Sequence, residues 1–191
     1  MKLILSSCDF SNGASKQFIL SHLPLPIERC RVLFIPNEKA TTEKIQQGKY
    51  HKRLHACGFA LENIYVFDEN IVNDFVNLPI DTIYVSGGNT FLTLRKLRTC
   101  GFDTILLRYI QSGVTYIGGS AGAHMVTRDI RHVAAYDPPF ETTDFTGLGL
   151  IDTRLICHFN EERRAHYEQL LQEKTTQVIA LADEDSIWLE K

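Results

Sequence analysis

No apolar run in this sequence approaches the ~20 residues that a helix needs to cross a lipid bilayer. The first ten residues, MKLILSSCDF, contain one lysine and a very short apolar run that ends in polar residues, so they lack the hydrophobic region of a secretory signal peptide. We therefore expect a soluble, cytoplasmic protein with no membrane partner.

Clustered positive charge is also missing. The 191 residues carry a net charge of -3, and no basic run is longer than a pair such as Arg163-Arg164. Proteins that bind a nucleic-acid backbone present a basic patch or stripe. The charge pattern therefore argues against a nucleic-acid partner and favours a small molecule or a peptide as substrate.

Paired cysteines are absent as well. The five cysteines are odd in number, lie far apart and form no CxxC motif, so neither a disulfide framework nor a zinc ribbon is indicated. Reduced thiols in a cytosol fit this pattern. The five are Cys8, Cys30, Cys57, Cys100 and Cys157.

Short apolar runs alternate with segments of helical period, which is typical of an α/β domain built around a mostly parallel sheet. With 44% hydrophobic residues, the chain is long enough for one compact domain over residues 1–191. The predicted strands are Lys2–Leu5, Arg31–Ile35, Asn63–Phe67, Thr82–Val85, Val114–Ile117 and Val178–Leu181. The predicted helices are Ala14–Leu20, Thr42–Cys57, Thr90–Leu97, Phe102–Ser112, Ala121–Thr127 and Glu161–Glu173.

One segment joins a strand to a helix through an unusual number of small residues. Val114–Ile117 leads directly into Gly118-Gly119-Ser120-Ala121-Gly122. A nucleophile elbow needs small residues two positions before and two after its serine, because its backbone is crowded. Ser120 is therefore a candidate nucleophile, with the Ala121 N–H as an oxyanion donor. The alternative is a tight turn that binds an anion or caps the helix.

A second glycine turn follows the predicted strand at 82–85. Its sequence is Ser86-Gly87-Gly88-Asn89-Thr90, and the Gly88 N–H could complete a two-donor oxyanion hole beside Ser120. No Walker lysine follows, and the GxGxxG spacing is absent, so nucleotide binding is not indicated.

A nucleophilic serine needs a base, and histidine is the usual one. Among the seven histidines, His158 is the best candidate because it follows the apolar, strand-like run Leu155-Ile156-Cys157, and active-site groups collect at strand ends. His124 lies one helical turn after Ser120 and could support the site. Two carboxylates could orient the base: Asp137 in the irregular segment 129–152, or Glu184 after the last predicted strand.

Taken together, these motifs resemble the peptidase E family of serine peptidases, which includes α-aspartyl dipeptidases and is related to cyanophycinases. The resemblance rests on four ordered motifs: Val85-Ser86-Gly87-Gly88-Asn89-Thr90, Gly119-Ser120-Ala121-Gly122-Ala123, His158-Phe159 and Asp183-Glu184. It implies a three-layer sandwich, flavodoxin-like and similar to class I glutamine amidotransferases.

The resemblance also implies roles for single residues. Ser120 matches the nucleophile, His158 the base and Glu184 the triad acid, while Gly88 and Ala121 match the oxyanion donors. Arg163, or Arg164 beside it, is the nearest match to an arginine that holds an N-terminal aspartate of the substrate.

The expected activity is hydrolysis of short peptides, including dipeptides that begin with aspartate, through an acyl-enzyme and without a metal or cofactor. Two alternatives remain: an esterase-like hydrolase that uses Asp137, and a non-catalytic ligand-binding module.

Overall fold

A six-stranded sheet forms the centre of the protein, which a computed structural model describes over residues 1–191. The eight strands are β1 (Lys2–Ser6), β2 (Val32–Ile35), β3 (Ile64–Val66), β4 (Thr82–Val85), β5 (Thr115–Gly119), β6 (Thr153–Ile156), β7 (Gln177–Ala180) and β8 (Ser186–Glu190). The central order is β3-β2-β4-β5-β1-β8. Strands β1 to β5 run parallel, and β8 pairs antiparallel with β1 at one edge.

Helices cover both faces of this sheet. They are α1 (Gly13–His22), α2 (Thr42–Gln46), α3 (Lys49–Cys57), α4 (Thr90–Thr99), α5 (Phe102–Gln111), α6 (Ala121–Met125) and α7 (Glu161–Glu173). Side chains alternate between the faces along each strand, so Leu3 and Leu5 enter the larger core with residues of α4, α5 and α6. Ile4 enters the smaller core with residues of α1 and α3. The predicted α/β sandwich with a mostly parallel sheet is confirmed.

Two predicted elements differ from the structure. The segment Thr42–Cys57 is not one helix, because Gly48 adopts a left-handed backbone (φ 70°) and separates α2 from α3. The strand predicted at Val178–Leu181 exists as β7, but it pairs with β6 in a separate two-stranded sheet. No helix of the protein combines the length and apolar character required to cross a membrane.

The segment 129–152 contains no α-helix and no strand of a sheet, as predicted. It begins with a 3-10 turn at Arg131–Ala135 and is tied to its surroundings by isolated bridges, Asp129 to Thr146 and Thr127 to Ile151. Its middle part brings Asp137 to the carboxyl end of the parallel sheet, where ligands bind in open α/β folds.

Candidate active site

Ser120 stands at a sharp turn between β5 and α6. Its backbone (φ 47°, ψ -103°) lies in a region that L-residues rarely adopt, and its N–H donates to the carbonyl of Ser6 at 2.9 Å. A Cβ on Gly118 would lie 2.6 Å from the carbonyl oxygen of Gly122, and one on Gly122 would lie 2.4 Å from that of Val85. The turn therefore requires glycine at both flanking positions.

His158 lies opposite this turn, just after β6. Its backbone N–H donates to the Ser7 hydroxyl at 2.7 Å, which fixes the residue in a left-handed conformation (φ 52°). The imidazole Nε2 lies 2.9 Å from the Ser120 Oγ, within hydrogen-bond distance. The fold thus joins the predicted nucleophile to the predicted base.

The carboxylate on the other imidazole nitrogen belongs to Asp183, one residue before the predicted Glu184. The His158 Nδ1 lies 2.7 Å from the Asp183 Oδ1. Glu184 is exposed and makes no hydrogen bond to His158, so its placement as the partner of His158 was wrong. The turn after β7 is closed by the Asp185 N–H, which donates to the Ala182 carbonyl at 2.9 Å, and within this turn the Asp183 side chain is the one that reaches His158.

The pKa of Asp183 also reflects this contact with His158. The hydrogen bond from His158 is the main reason that the pKa of Asp183 is lowered, with a smaller effect from Cys8. The carboxylate is therefore ionised at neutral pH and accepts the Nδ1–H of His158. This hydrogen bond leaves the Nε2 as an acceptor toward Ser120.

The alternative acid, Asp137, is occupied elsewhere. Its Oδ2 accepts from the Thr90 N–H at 2.8 Å and from the Thr90 hydroxyl at 2.6 Å, at the start of α4. This carboxylate caps a helix and does not bond His158, so the expectation that it could serve as the triad acid is contradicted. It still lines the cleft above Ser120.

The two predicted oxyanion donors lie at the expected turns. Ala121 is the first residue of α6, so its N–H has no acceptor within the helix. Gly88 lines the cleft with Gly87 and Ser120, and its N–H has no acceptor within the protein. Gly88 must be glycine, because at φ 157° a Cβ would lie 2.5 Å from the Asn37 Cβ.

Arg163 is not among the residues that line the cleft around Ser120. Its guanidinium donates to the carbonyl of Cys157 and stacks on the ring of Tyr136, 4.0 Å from the ring centroid. Arg164 pairs with Glu161 on the exposed face of α7. A role for Arg163 in binding substrate stays a prediction.

The cleft around Ser120 contains a different arginine that sequence reasoning missed. It has a volume of about 410 Å³, and Arg53 of α3 is its only lysine or arginine. The Arg53 guanidinium lies 3.9 Å from the buried Asp9 carboxylate and 5.6 Å from the Phe34 ring centroid. The sequence did contain a signal for Asp9, the partner of Arg53: the polar run Ser6-Ser7-Cys8-Asp9 follows the apolar part of β1, at a strand end.

His124 supports the site from the interior. Its Nε2 lies 3.3 Å from the backbone N–H of Cys157, and its Nδ1 lies 3.4 Å from the Thr90 hydroxyl. Burial lowers the pKa of His124 to about 3, so the ring is neutral. A neutral ring can accept at one nitrogen and donate at the other, which links the start of α4 to the residue that precedes His158.

Comparison with known proteins decides the family. The model of peptidase family S51 matches residues 3–191. The chain belongs to this family. An uncharacterized peptidase of Listeria monocytogenes is 32% identical over 136 residues, which cover 68% of this chain and 65% of that protein. A protein of Drosophila melanogaster named as a probable alpha-aspartyl dipeptidase is 31% identical, over 67% of this chain and 52% of its own.

These matched segments span less than two thirds of the two relatives. A crystal structure of a protein assigned as peptidase E from Listeria monocytogenes shares the fold, with a TM-score of 0.76 and 24% identity, over 98% of this chain and 93% of the other. The predicted membership of the peptidase E family is confirmed. The predicted class, a hydrolase of the serine peptidase type, is confirmed for the family.

Proposed function

We propose that this S51 family member hydrolyses short peptides through an acyl-enzyme on Ser120. The observation that carries the proposal is the alignment of three side chains from distant parts of the chain. Ser120 Oγ lies 2.9 Å from His158 Nε2, and His158 Nδ1 lies 2.7 Å from Asp183. This is the order of contacts by which a serine triad works.

In the first half of the reaction, the Ser120 oxygen attacks the carbonyl carbon of the scissile bond while His158 accepts the hydroxyl proton. Asp183 holds the imidazole in the required tautomer and stabilises its cation. The N–H groups of Gly88 and Ala121 donate to the developing oxyanion. His158 then gives its proton to the leaving amine, and the acyl group stays on Ser120.

In the second half, a water molecule replaces the amine. His158 removes a proton from this water, the resulting hydroxide attacks the acyl carbon, and the proton passes to Ser120 as the acid product leaves. The His158 side chain is 37% exposed and lines the cleft, so water can reach the acyl carbon.

The charges of the cleft favour a peptide with a free amino group and a carboxylate. Arg53 is the cation that faces the cleft, and a guanidinium binds a carboxylate with two hydrogen bonds. Asp137 has one oxygen engaged by Thr90 and the other without a partner, so it can accept from an ammonium group. Peptides with an N-terminal aspartate, the substrate that the name of the Drosophila relative describes, carry both groups.

The test is a screen of dipeptides that vary at the first position, run with the unaltered protein and with Ser120→Ala. We expect hydrolysis of acidic dipeptides, and a loss of several orders of magnitude in Ser120→Ala. Equal hydrolysis by both proteins would contradict the proposal. Hydrolysis without a preference for acidic dipeptides would contradict only the assigned substrate.

A further inference from the structure

The Cys8 thiol lies beside the His158 Nδ1, the imidazole nitrogen that faces Asp183. The Cys8 Sγ lies 3.7 Å from the His158 Nδ1, the same nitrogen that lies 2.7 Å from Asp183. The three donor atoms all lie within 4.8 Å of one another. The described reaction uses the imidazole and the carboxylate but not the thiol, so the sulfur is a feature that peptide hydrolysis leaves unexplained.

The spacing of these atoms is close to that of a tetrahedral zinc site. With bonds of ~2.3 Å to sulfur and ~2.1 Å to nitrogen or oxygen, the ligands of tetrahedral zinc lie about 3.6 Å (S to N) and about 3.4 Å (N to O) apart. The sulfur and nitrogen are already at 3.7 Å. The nitrogen–oxygen distance of 2.7 Å must lengthen by about 0.7 Å, and the carboxylate that would move belongs to a side chain that is 66% exposed.

The backbone of two of the three donor residues is held by contacts outside the cluster. The Asp183 carbonyl accepts from the Asn12 side chain at 2.6 Å, and the His158 N–H donates to Ser7 at 2.7 Å. These contacts fix the two backbone positions from which the ligand side chains extend. Because His158 and Asp183 are partly open to solvent, an ion can enter and a water molecule can supply the fourth ligand.

We propose that Cys8, His158 and Asp183 form a binding site for Zn²⁺ or a similar thiophilic divalent ion, and that the bound ion switches the hydrolase off. The ligand set of thiolate, imidazole and carboxylate suits Zn²⁺ and Co²⁺ rather than Mg²⁺ or Ca²⁺. The proposed binding of the ion rests only on the distances between the three donor atoms. The inhibition rests on the proposed function of Ser120 and His158.

The inhibition follows from a change in which imidazole nitrogen of His158 carries the proton. In the metal-free site the Nδ1 carries the proton and the Nε2 accepts from Ser120. A metal ion on the Nδ1 requires that nitrogen to be unprotonated, so the single proton of the neutral ring moves to the Nε2 through solvent. The Cys8 thiol releases its own proton to the buffer as the sulfur–metal bond forms. The Nε2 then carries a hydrogen and cannot take the proton of Ser120.

The binding test uses Co²⁺ and the Ser120→Ala protein, which keeps all three ligands and does not depend on hydrolysis. We expect one Co²⁺ per chain, with the near-ultraviolet charge-transfer band of a thiolate–cobalt bond, and removal of this band by Zn²⁺. The band is expected to disappear in Cys8→Ala and to persist in Cys100→Ala, a matched control because Cys100 is equally part-exposed and is not among the cluster's ligands.

A second measurement needs no variant. Alkylation of Cys8 by iodoacetamide, followed by mass spectrometry of its peptide, should slow at least tenfold in the presence of Zn²⁺, while alkylation of Cys100 should not change. The proposal is wrong if the cobalt band is absent, if it survives in Cys8→Ala, or if Zn²⁺ does not protect Cys8.

Inhibition is measured separately, on a dipeptide that the unaltered protein cleaves. The ratio of rates with and without Zn²⁺ is compared within each variant. We expect Zn²⁺ to inhibit the unaltered protein and Cys100→Ala alike, and to need at least tenfold higher concentration in Cys8→Ala. Binding without inhibition would overturn the switch but not the site, and an inactive protein that still binds Co²⁺ would contradict the proposed function instead.

Discussion

The His158 Nδ1 lies 2.7 Å from the Asp183 carboxylate, whereas Glu184, the next residue, makes no hydrogen bond to His158. Asp183 therefore fixes the tautomer of His158, as the acid of a serine triad does.

The first prediction concerns these two neighbours. Asp183→Asn should reduce kcat on the order of 10⁴-fold, because an amide no longer selects the tautomer that accepts the Ser120 proton. Glu184→Gln, the matched control, should stay within about twofold. The rate of labelling by a fluorophosphonate reads the same difference without a substrate. A large loss of kcat in Glu184→Gln but not in Asp183→Asn would mean that Glu184 is the triad acid.

The second prediction concerns the cation of the cleft. Arg53→Met should raise KM for acidic dipeptides at least tenfold and leave neutral dipeptides unchanged, because one charge-assisted contact is lost. Lys52→Met removes the same charge from the neighbouring exposed position of α3 and should change neither. Arg163→Met is measured beside them. If it, and not Arg53→Met, abolishes the acidic preference, then Arg163 holds the substrate carboxylate.

The third prediction concerns the crowded turn. Gly122→Ala places a Cβ 2.4 Å from the Val85 carbonyl oxygen, so α6 must shift away from β4. We expect a loss of about 1 to 3 kcal/mol in the free energy of unfolding, together with a strong loss of activity. Gly13→Ala is the control, since a Cβ there meets no atom within 4 Å. Urea unfolding measures both variants, and equal stabilities would contradict the packing described here.

The fourth prediction concerns His124 and pH. Burial lowers the pKa of His124 to about 3, whereas an unfolded histidine titrates near ~6.5. Between these values the unfolded chain binds the additional proton, so stability falls as the pH is lowered from 6.5 toward 3. This residue alone should remove about 2 kcal/mol between pH 7 and pH 5.

The variant His124→Gln isolates that effect. Its free energy of unfolding should fall less between pH 7 and pH 5 than that of the unaltered protein, by the same ~2 kcal/mol. Burial lowers the pKa of His132 as well, and this contribution remains in both proteins. Identical pH dependence of the two proteins would mean that His124 is not held neutral in the fold.

The sequence was most informative where local backbone geometry dictates the residue. Gly118 and Gly122 predicted the turn around Ser120, and the structure leaves no space for a Cβ at either position. The apolar run before His158 placed it correctly at a strand end. The alternation of strands and helices predicted the layers of the sandwich.

Features that depend on contacts between distant segments could not be predicted from local sequence patterns. Asp183 and Glu184 are adjacent carboxylates in one turn, and no periodicity distinguishes the one that reaches His158. Arg53 lines the cleft from α3, which begins anew after Gly48 interrupts the predicted helix. Cys8 meets His158 across 150 residues, because the segment after β1 contacts the segment after β6 through the hydrogen bond from the His158 N–H to the Ser7 hydroxyl.

The central claim is that the Ser120 Oγ is the nucleophile that attacks the substrate carbonyl, with His158 as its base. The most direct measurement is reaction of the unaltered protein with a fluorophosphonate, followed by mass spectrometry of the intact chain and of its peptides. We predict one adduct, located on Ser120, which is lost in Ser120→Ala and formed far more slowly in His158→Gln. No adduct on Ser120 in a preparation that hydrolyses dipeptides would contradict the account.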